Sequence, residues 1–310
     1  MSPHPALSAP TLLTDGGLET SLIFLQGVEL PAFAAFPLLT TEEGRRQLAA
    51  YFEPYLRLAA ETGIPFVLDT PTWRVSTDWG RVLGYDRAAL EQIVRDAVAF
   101  ARELRDRFAP GHDVVIDGVI GPRADGYTVS TTMTAEESRE FFAPYVSAFA
   151  AAGADLVSAV TMTYPAEGAG VALAARAAGV PVVVSFTVET DGRLPSGDQL
   201  GAAIELVDAQ TDGYPLHYMI NCAHPSHFAA LLERGDKWAD RVRGIRANAS
   251  RRSHAELDAA TDLDAGDPAE LAAEYRALRL ARPGIRVFGG CCGTDARHVR
   301  AIAEACSAPR

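Results

Sequence analysis

The order of elements along the chain predicts an α/β fold, a single (β/α)8 TIM barrel, and three observations carry that expectation. Short apolar runs rich in β-formers alternate with longer helical patterns from one end of the chain to the other. The pairs number about eight, the repeat of a closed parallel barrel. A length of 310 residues suits one large domain, so residues 1–310 are expected to form a single unit. An open, doubly wound sheet is the other arrangement these elements allow.

The expected strands cover residues 12–16, 65–70, 113–120, 155–161, 181–187, 217–221, 242–247 and 285–289. Between them the helix ends are marked. Thr41 precedes a stretch in which Leu48, Tyr51, Phe52, Tyr55, Leu56 and Ala59 recur at helical spacing, and Gly63 follows as a stop. Pro54 is expected to kink that helix without ending it, since the apolar pattern continues beyond it. Thr134 and Glu137 form a capping-box signature ahead of Phe141, Phe142, Tyr145 and Phe149, and Gly153 closes the segment. Further helices are expected over 87–108, 167–178, 199–209, 225–234, 269–281 and 295–305. The polar stretches 191–197 and 248–267 read as loops of the active face, too short and too structured in composition to divide the chain.

Composition removes several functions. With 48% hydrophobic and 22% charged residues the chain can bury a sizeable core, and its formal net charge is −12. That charge repels phosphate backbones and anionic lipid surfaces, so neither nucleic acid nor membrane is an expected partner. No run of about 18 apolar residues occurs, and the opening MSPHPALSAP lacks the basic and apolar regions of a signal peptide. A cytoplasmic location is expected, where thiols stay reduced. The 4 cysteines, Cys222, Cys291, Cys292 and Cys306, are then candidates for metal binding or catalysis before structural bridges.

In such a barrel the loops after the strands converge on one mouth, and three strand ends there are chemically unusual. In TDGGLET, residues 14–20, paired glycines let backbone approach a ligand and leave amides free for an anion, though an ordinary tight turn reads the same way. In MINCAHPSH, residues 219–227, Cys222 lies just past the sixth strand, where a lone cysteine is commonly a small buried apolar residue. In FGGCCGTD, residues 288–295, two adjacent cysteines sit among glycines after the eighth strand, a setting that also suits a phosphate-gripping loop.

Adjacent cysteines reach disulfide geometry only with a strained peptide, so Cys291 and Cys292 are poor partners for each other. A soft metal such as zinc accepts thiolates from glycine-rich backbone. Strands six and eight lie two apart around the ring, so their ends can aim Cys222, Cys291 and Cys292 at one point. Three protein ligands leave one corner of the tetrahedron open, as in catalytic zinc sites, whereas a fourth from Cys306 or His224 would make the site structural. A substrate thiol suits the open corner, because zinc lowers its pKa and produces a thiolate at neutral pH. Such a sulfur attacks a methyl group on a sulfonium or ammonium donor. The expected partners are therefore a small-molecule thiol and a small-molecule methyl donor.

The DGG of 15–17, NCAHP of 221–225 and GGCCGT of 289–294, with SFT at 185–187 and DGRLPSG at 191–197, resemble the zinc-dependent homocysteine S-methyltransferase family in order and spacing. The similarity covers nearly the whole chain. The resemblance implies a (β/α)8 barrel with Zn2+ held by Cys222, Cys291 and Cys292. It implies homocysteine as acceptor, methionine as product, and S-methylmethionine, S-adenosylmethionine or a betaine as donor. It also implies that the turn of Asp15, Gly16 and Gly17 holds the amino acid part of the acceptor.

Two stretches depart from the family pattern. Where the family usually has Glu-Thr after strand four, with a carboxylate for the homocysteine ammonium, this chain reads SAVTMTYP and places Val160 in the glutamate's position. After strand two the family's Thr-Asn-Thr-Tyr-like stretch is LDTPTW, residues 68–73, which brings Asp69, Thr72 and Trp73 to the mouth. Asp69, Glu19 and Asp117 are candidates for the missing carboxylate, because an unpaired desolvated ammonium costs on the order of several kcal/mol. Trp73, Trp79 and Tyr127 either cradle a methylated cation or pack the rim. Asn248 offers a hydrogen bond to substrate or to its own turn. Arg251, Arg252 and His254 read as a solvated loop. Three alternatives stand beside the main expectation: the same zinc chemistry on another thiol or selenol, a non-catalytic zinc or thiol sensor, and a redox pair at Cys291 and Cys292.

Overall fold

The structure is a computed structural model and describes residues 3–234 and 236–307. Among these residues the strands are β1 (Leu12–Leu13), β2 (Phe66–Asp69), β3 (Val114–Ile120), β4 (Leu156–Met162), β5 (Val182–Phe186), β6 (Tyr218–Asn221), β7 (Val242–Ala247) and β8 (Val287–Gly290). They pair in sequence order, all parallel, and β8 returns to β1, so the sheet is a closed barrel and not the open alternative. The α-helices are α1 (Leu18–Thr20), α2 (Glu42–Thr62), α3 (Thr77–Leu83), α4 (Arg87–Phe108), α5 (Ala135–Ala152), α6 (Pro165–Ala178), α7 (Leu200–Thr211), α8 (Pro225–Glu233), α9 (His254–Asp258), α10 (Pro268–Ala281) and α11 (Ala296–Cys306). None of them is long and apolar enough to cross a membrane.

The expected caps are present. Thr41 Oγ1 accepts from Gly44 N at 3.0 Å, Gly63 ends α2 in the left-handed region at φ 71°, and the helix runs through Pro54. Thr134 and Glu137 complete their reciprocal capping box ahead of α5. β1 is shorter than expected. Thr14 N still reaches Phe288 O and Asp15 O accepts from Gly290 N, and then the chain turns out of the sheet, where Gly17 N joins Thr294 O in the loop after β8. Helices α3 and α9 were not expected, being too short for a periodic pattern to show.

The period of two along each strand sorts the side chains. Leu13, Leu68, Ile116, Val157, Val184, Ile220, Ile245 and Phe288 face the helices in the main core. Leu12, Val67, Val115, Leu156, Val183, Met219 and Val287 form a separate cluster that fills the lower barrel, closed from below by Ala6 and Leu7. At this level β7 carries Gly244, because a Cβ there would lie 2.7 Å from Met219 Cγ. Two residues further on, the pleat turns Thr14, Asp69, Asp117, Ser158, Ser185, Asn221 and Arg246 to the same side. The barrel interior therefore changes from hydrocarbon to polar groups within one step of about 6.6 Å, just below the loops that lead to the helices.

One buried acid lies in the helical layer. Glu167 Oε1 accepts from Arg123 N at 2.9 Å, Oε2 has no partner among the described residues, and burial pushes the carboxyl up from 4.5 to about 7. The unfolded chain gives up that proton near the lower value and the folded chain near the upper one. Stability therefore falls as pH rises between them, and is flat on either side. Glu167→Gln keeps the accepting oxygen, so chemical denaturation should show it losing this pH dependence and gaining up to about 3 kcal/mol over the parent chain at pH 8. Identical pH profiles for the two proteins would contradict this assignment.

Candidate active site

Cys222 directly follows β6, and Cys291 and Cys292 directly follow β8. Their sulfurs all lie within 4.8 Å of one another, and Cys222 Sγ is 3.6 Å from Cys292 Sγ. A tetrahedral zinc with Zn–S bonds of about 2.3 Å sets its sulfurs about 3.8 Å apart, so the triad has the donors and the spacing for such an ion. Neither expected fourth ligand joins it. His224 caps α8 through Ser226 N at 3.2 Å, and Cys306 is buried in the apolar core under α11.

The backbone at Cys222 is left-handed, with φ 57°, a conformation that costs a non-glycine residue about 1–3 kcal/mol and needs outside support. Support comes from four bonds. Cys222 N donates to Arg246 O at 3.0 Å, while Cys222 O lies 2.9 Å from Asn248 Nδ2, 2.8 Å from His254 Nε2 and 3.3 Å from Thr187 Oγ1. The glycines of the first and last loops serve contact between those loops. A Cβ on Gly17 would meet Cys291 O at 2.5 Å, and one on Gly16 would meet Thr294 O at 2.7 Å. The anion-binding amides expected of this turn are thus not all free, since Gly17 N is bonded to Thr294 O at 3.0 Å.

The three cysteines open into a cavity of about 510 Å3, and Asp15, Gly16, Gly17, Glu19, Asp69 and Trp73 line it as expected for substrate contacts. Two other expected contacts lie elsewhere. Thr72 is fully buried, with Oγ1 donating to Val119 O at 2.7 Å, where it ties the end of β2 to β3. Asn248 does not line the cavity; its Nδ2 donates to Cys222 O at 2.9 Å, and its Oδ1 has no partner among the described residues. Asp117 sits below the cavity without lining it, whereas Val160 is part of the wall.

Trp73, Trp79 and Tyr127 all line the cavity. The guanidinium of Arg74 lies 4.2 Å from the Trp73 ring centre and 4.0 Å from that of Trp79, so one face of each indole already holds a cation from the chain itself. The Tyr127 hydroxyl is 3.1 Å from Cys222 Sγ and 3.6 Å from Cys292 Sγ, and its ring stacks on His254 at 4.1 Å. His254 is therefore no solvated loop residue. It is buried, held by Cys222 O and by Glu189 at 2.9 Å, while Arg251 and Arg252 remain exposed.

Arg246 was missing from the expected site. Its Nη1 donates to Asp69 and its Nη2 to Asp15, and Tyr51 Oη donates to the other Asp15 oxygen at 3.0 Å. Burial pushes Asp15 up to about 8 despite the guanidinium, and raises Asp117 well above the usual carboxylate range. Burial likewise pushes Glu19 up to about 7. In the triad, hydrogen bonds from Cys222 and Cys292 hold Cys291 well below the usual thiol range. Cys222 is raised by the same contacts, and Cys292 is raised by Cys291 and burial in spite of its bond with Cys222. Seven strands carry an inward apolar residue and, two places later, a polar or glycine residue, but β7 has Gly244 in the apolar place, so its own sequence does not mark Arg246 as inward.

Because Asn248 holds the strained carbonyl of Cys222, Asn248→Ala should lower zinc affinity by about 10- to 100-fold in competition with a chelating dye, without unfolding the barrel. Unchanged affinity would show that the bond to Cys222 O does not position the sulfur.

Residues 12–306 match the profile of the homocysteine S-methyltransferase family. The chain is 25% identical over 264 residues to homocysteine S-methyltransferase 4 of Zea mays, which covers 77% of this chain and 75% of that one. It is 32% identical over 130 residues to methionine synthase of Mycobacterium leprae, covering 41% of this chain but 10% of that protein. Among solved structures, the homocysteine methyltransferase MmuM of Escherichia coli in its oxidized form has a TM-score of 0.78 at 22% identity, over 97% of this chain and 98% of that one. The metallated form of MmuM gives 0.75 at 20% identity, over 98% and 99%. These structural likenesses speak for the fold. The family match runs from β1 to the end of α11, and on that ground the chain belongs to the homocysteine S-methyltransferase family and is a methyltransferase.

Proposed function

We propose that the enzyme moves a methyl group from a sulfonium or ammonium donor, S-methylmethionine, S-adenosylmethionine or betaine, to the sulfur of homocysteine, giving methionine. Cys222, Cys291 and Cys292 would hold the zinc. The observation that carries this reading is the three-sulfur cluster opening into the cavity. The names of the relatives, a homocysteine S-methyltransferase and a methionine synthase, support acceptor and product, and a metallated form of MmuM supports a metal.

Zinc held by these three sulfurs would supply a Lewis acid, which lowers the pKa of a thiol and keeps its sulfur as a nucleophilic thiolate. The remaining work falls to the chain. Asp15, Gly16, Gly17 and Glu19 border the acceptor side, and Trp73, Trp79 and Tyr127 wall the space in which donor and acceptor meet. Holding the two in line converts a bimolecular displacement into a unimolecular one. The new sulfur–carbon bond forms as the donor's bond to methyl breaks, and that electron pair stays on the donor's sulfur or nitrogen.

Small molecules are the proposed partners, with neither nucleic acid nor membrane, in keeping with a net charge of −12. We place the enzyme in the cytoplasm, as one domain over residues 1–310. A second reading keeps the chemistry and changes the acceptor to another thiol or a selenol. It is favoured by the apolar Val160 at the end of β4. Family membership sets the sensor reading aside.

The test is turnover by anaerobically purified, zinc-loaded protein with homocysteine and each donor in turn, with methionine detected by mass spectrometry. Methionine should form with at least one donor. Cys222→Ala, which removes one sulfur, should lose zinc and lower turnover by roughly a thousandfold. A zinc-loaded parent protein that makes no methionine from any of the donors would contradict the proposal.

A further inference from the structure

We propose that Asp69 reads the acceptor's ammonium group, so that the enzyme selects thiols carrying a primary amine and rejects those without one. This rests on the alkyl transfer to a thiol argued above and adds the residue that chooses which thiol. Among the residues lining the cavity are seven Asp and Glu and two Arg, and with Asp15 and Glu19 left out of the count the acids still outnumber the cations, which favours a cationic guest. On the cavity floor, Asp15 has both oxygens engaged, one by Arg246 and one by Tyr51. Asp69 differs. Its Oδ2 takes Arg246 Nη1, while its Oδ1 is buried with no partner among the described residues. A buried carboxylate oxygen left without a donor is costly, and an arriving N–H group removes that cost. Asp117, in register with Asp69 on the next strand, also has an unpaired Oδ1, but only Asp69 lines the cavity, with 10% of its side chain exposed.

Arg246 acts here as a positioning residue. Each Nη donates to one of the two carboxylates, Nη2 to Asp15 and Nη1 to Asp69, and Nε lies 3.4 Å from Gly290 O, so the guanidinium is held against the acids of the cavity floor. Its charge is also insufficient for its surroundings. Asp15, Asp69 and Asp117 share this one cation, and the elevation of Asp15 and Asp117 means that, without a second cation, the surplus is carried as protons. An ammonium supplies that second cation. Across the cavity, the end of β4 has no charge to offer: Val160 is apolar, and the Thr161 hydroxyl accepts from Asn221 Nδ2 at 2.7 Å.

The experiment compares homocysteine with γ-mercaptobutyrate, the same thiol without its amine, by calorimetric binding and by kcat/KM on the zinc-loaded full chain. The parent enzyme should prefer homocysteine by roughly a hundredfold in both measurements. Asp69→Asn should abolish the preference through loss with homocysteine alone. Adding Val160→Glu to that variant puts a carboxylate on the opposite wall and should restore part of the preference, which a collapsed or misfolded site would not do. Calorimetry needs no methyl donor. If binding behaves as described while no methionine forms, the proposed reaction fails and the assignment of Asp69 stands. Equal affinity of the parent for the two thiols, an equal loss for both in Asp69→Asn, or a preference that survives the substitution would overturn it. In the last case Glu19→Gln should remove the preference instead.

Discussion

The last two residues of β7 and the two that follow them hold both cysteine-bearing loops, and the site depends on those bonds. Cys222 N donates to Arg246 O at 3.0 Å and Cys291 N to Ala247 O at 2.8 Å. Asn248 N donates to Ala223 O at 3.1 Å and Ala249 N to Cys292 O at 3.0 Å. β6 and β8 are therefore kept about 9.6 Å apart by one intervening strand, while their following residues lean inward over it until the sulfurs meet. The left-handed turn at Cys222 is what aims the sixth strand's sulfur, and Asn248 and His254 keep it there. A cluster of three soft donors thus follows from ordinary parallel pairing plus one supported strain.

The same strand carries the charge beneath the site. Burying a guanidinium and two carboxylates in a barrel is rarely a gain in stability, since desolvation of each ion offsets most of their attraction. A hydrocarbon layer like the one formed by Val67, Val115 and Val183 one step below would be the stable choice. The chain instead has Asp69, Asp117 and Arg246 at this level, with Asp15 reaching in from the end of β1. Polar groups kept at such cost belong where the protein meets its ligand, and they lie under the cavity into which the cysteines open.

The barrel was legible because its signals are local: apolar runs of strand length, the Thr41 and Thr134 caps, and the glycines that end α2 and α5. The cysteines were legible because their places after β6 and β8 follow from strand order alone. What escaped depends on distant partners. Arg246 meets Asp69 from 177 residues away and Asp15 from 231, and no local pattern shows that these side chains share a barrel interior. Thr72 and Asn248 have the composition of ligand contacts, but each donates to a backbone carbonyl of a neighbouring strand end and neither lines the cavity. His254 sits in a charged stretch that reads as solvated, and contacts from distant residues, its stack on Tyr127 and its bonds to Cys222 O and Glu189, bring it inside.

The central claim is that the three cysteines hold zinc with one side left for the acceptor's sulfur. X-ray absorption at the zinc edge of the loaded protein, with and without homocysteine, tests it most directly. The account predicts three sulfur neighbours without homocysteine and four with it. A sulfur count that stays the same on adding saturating homocysteine would contradict it.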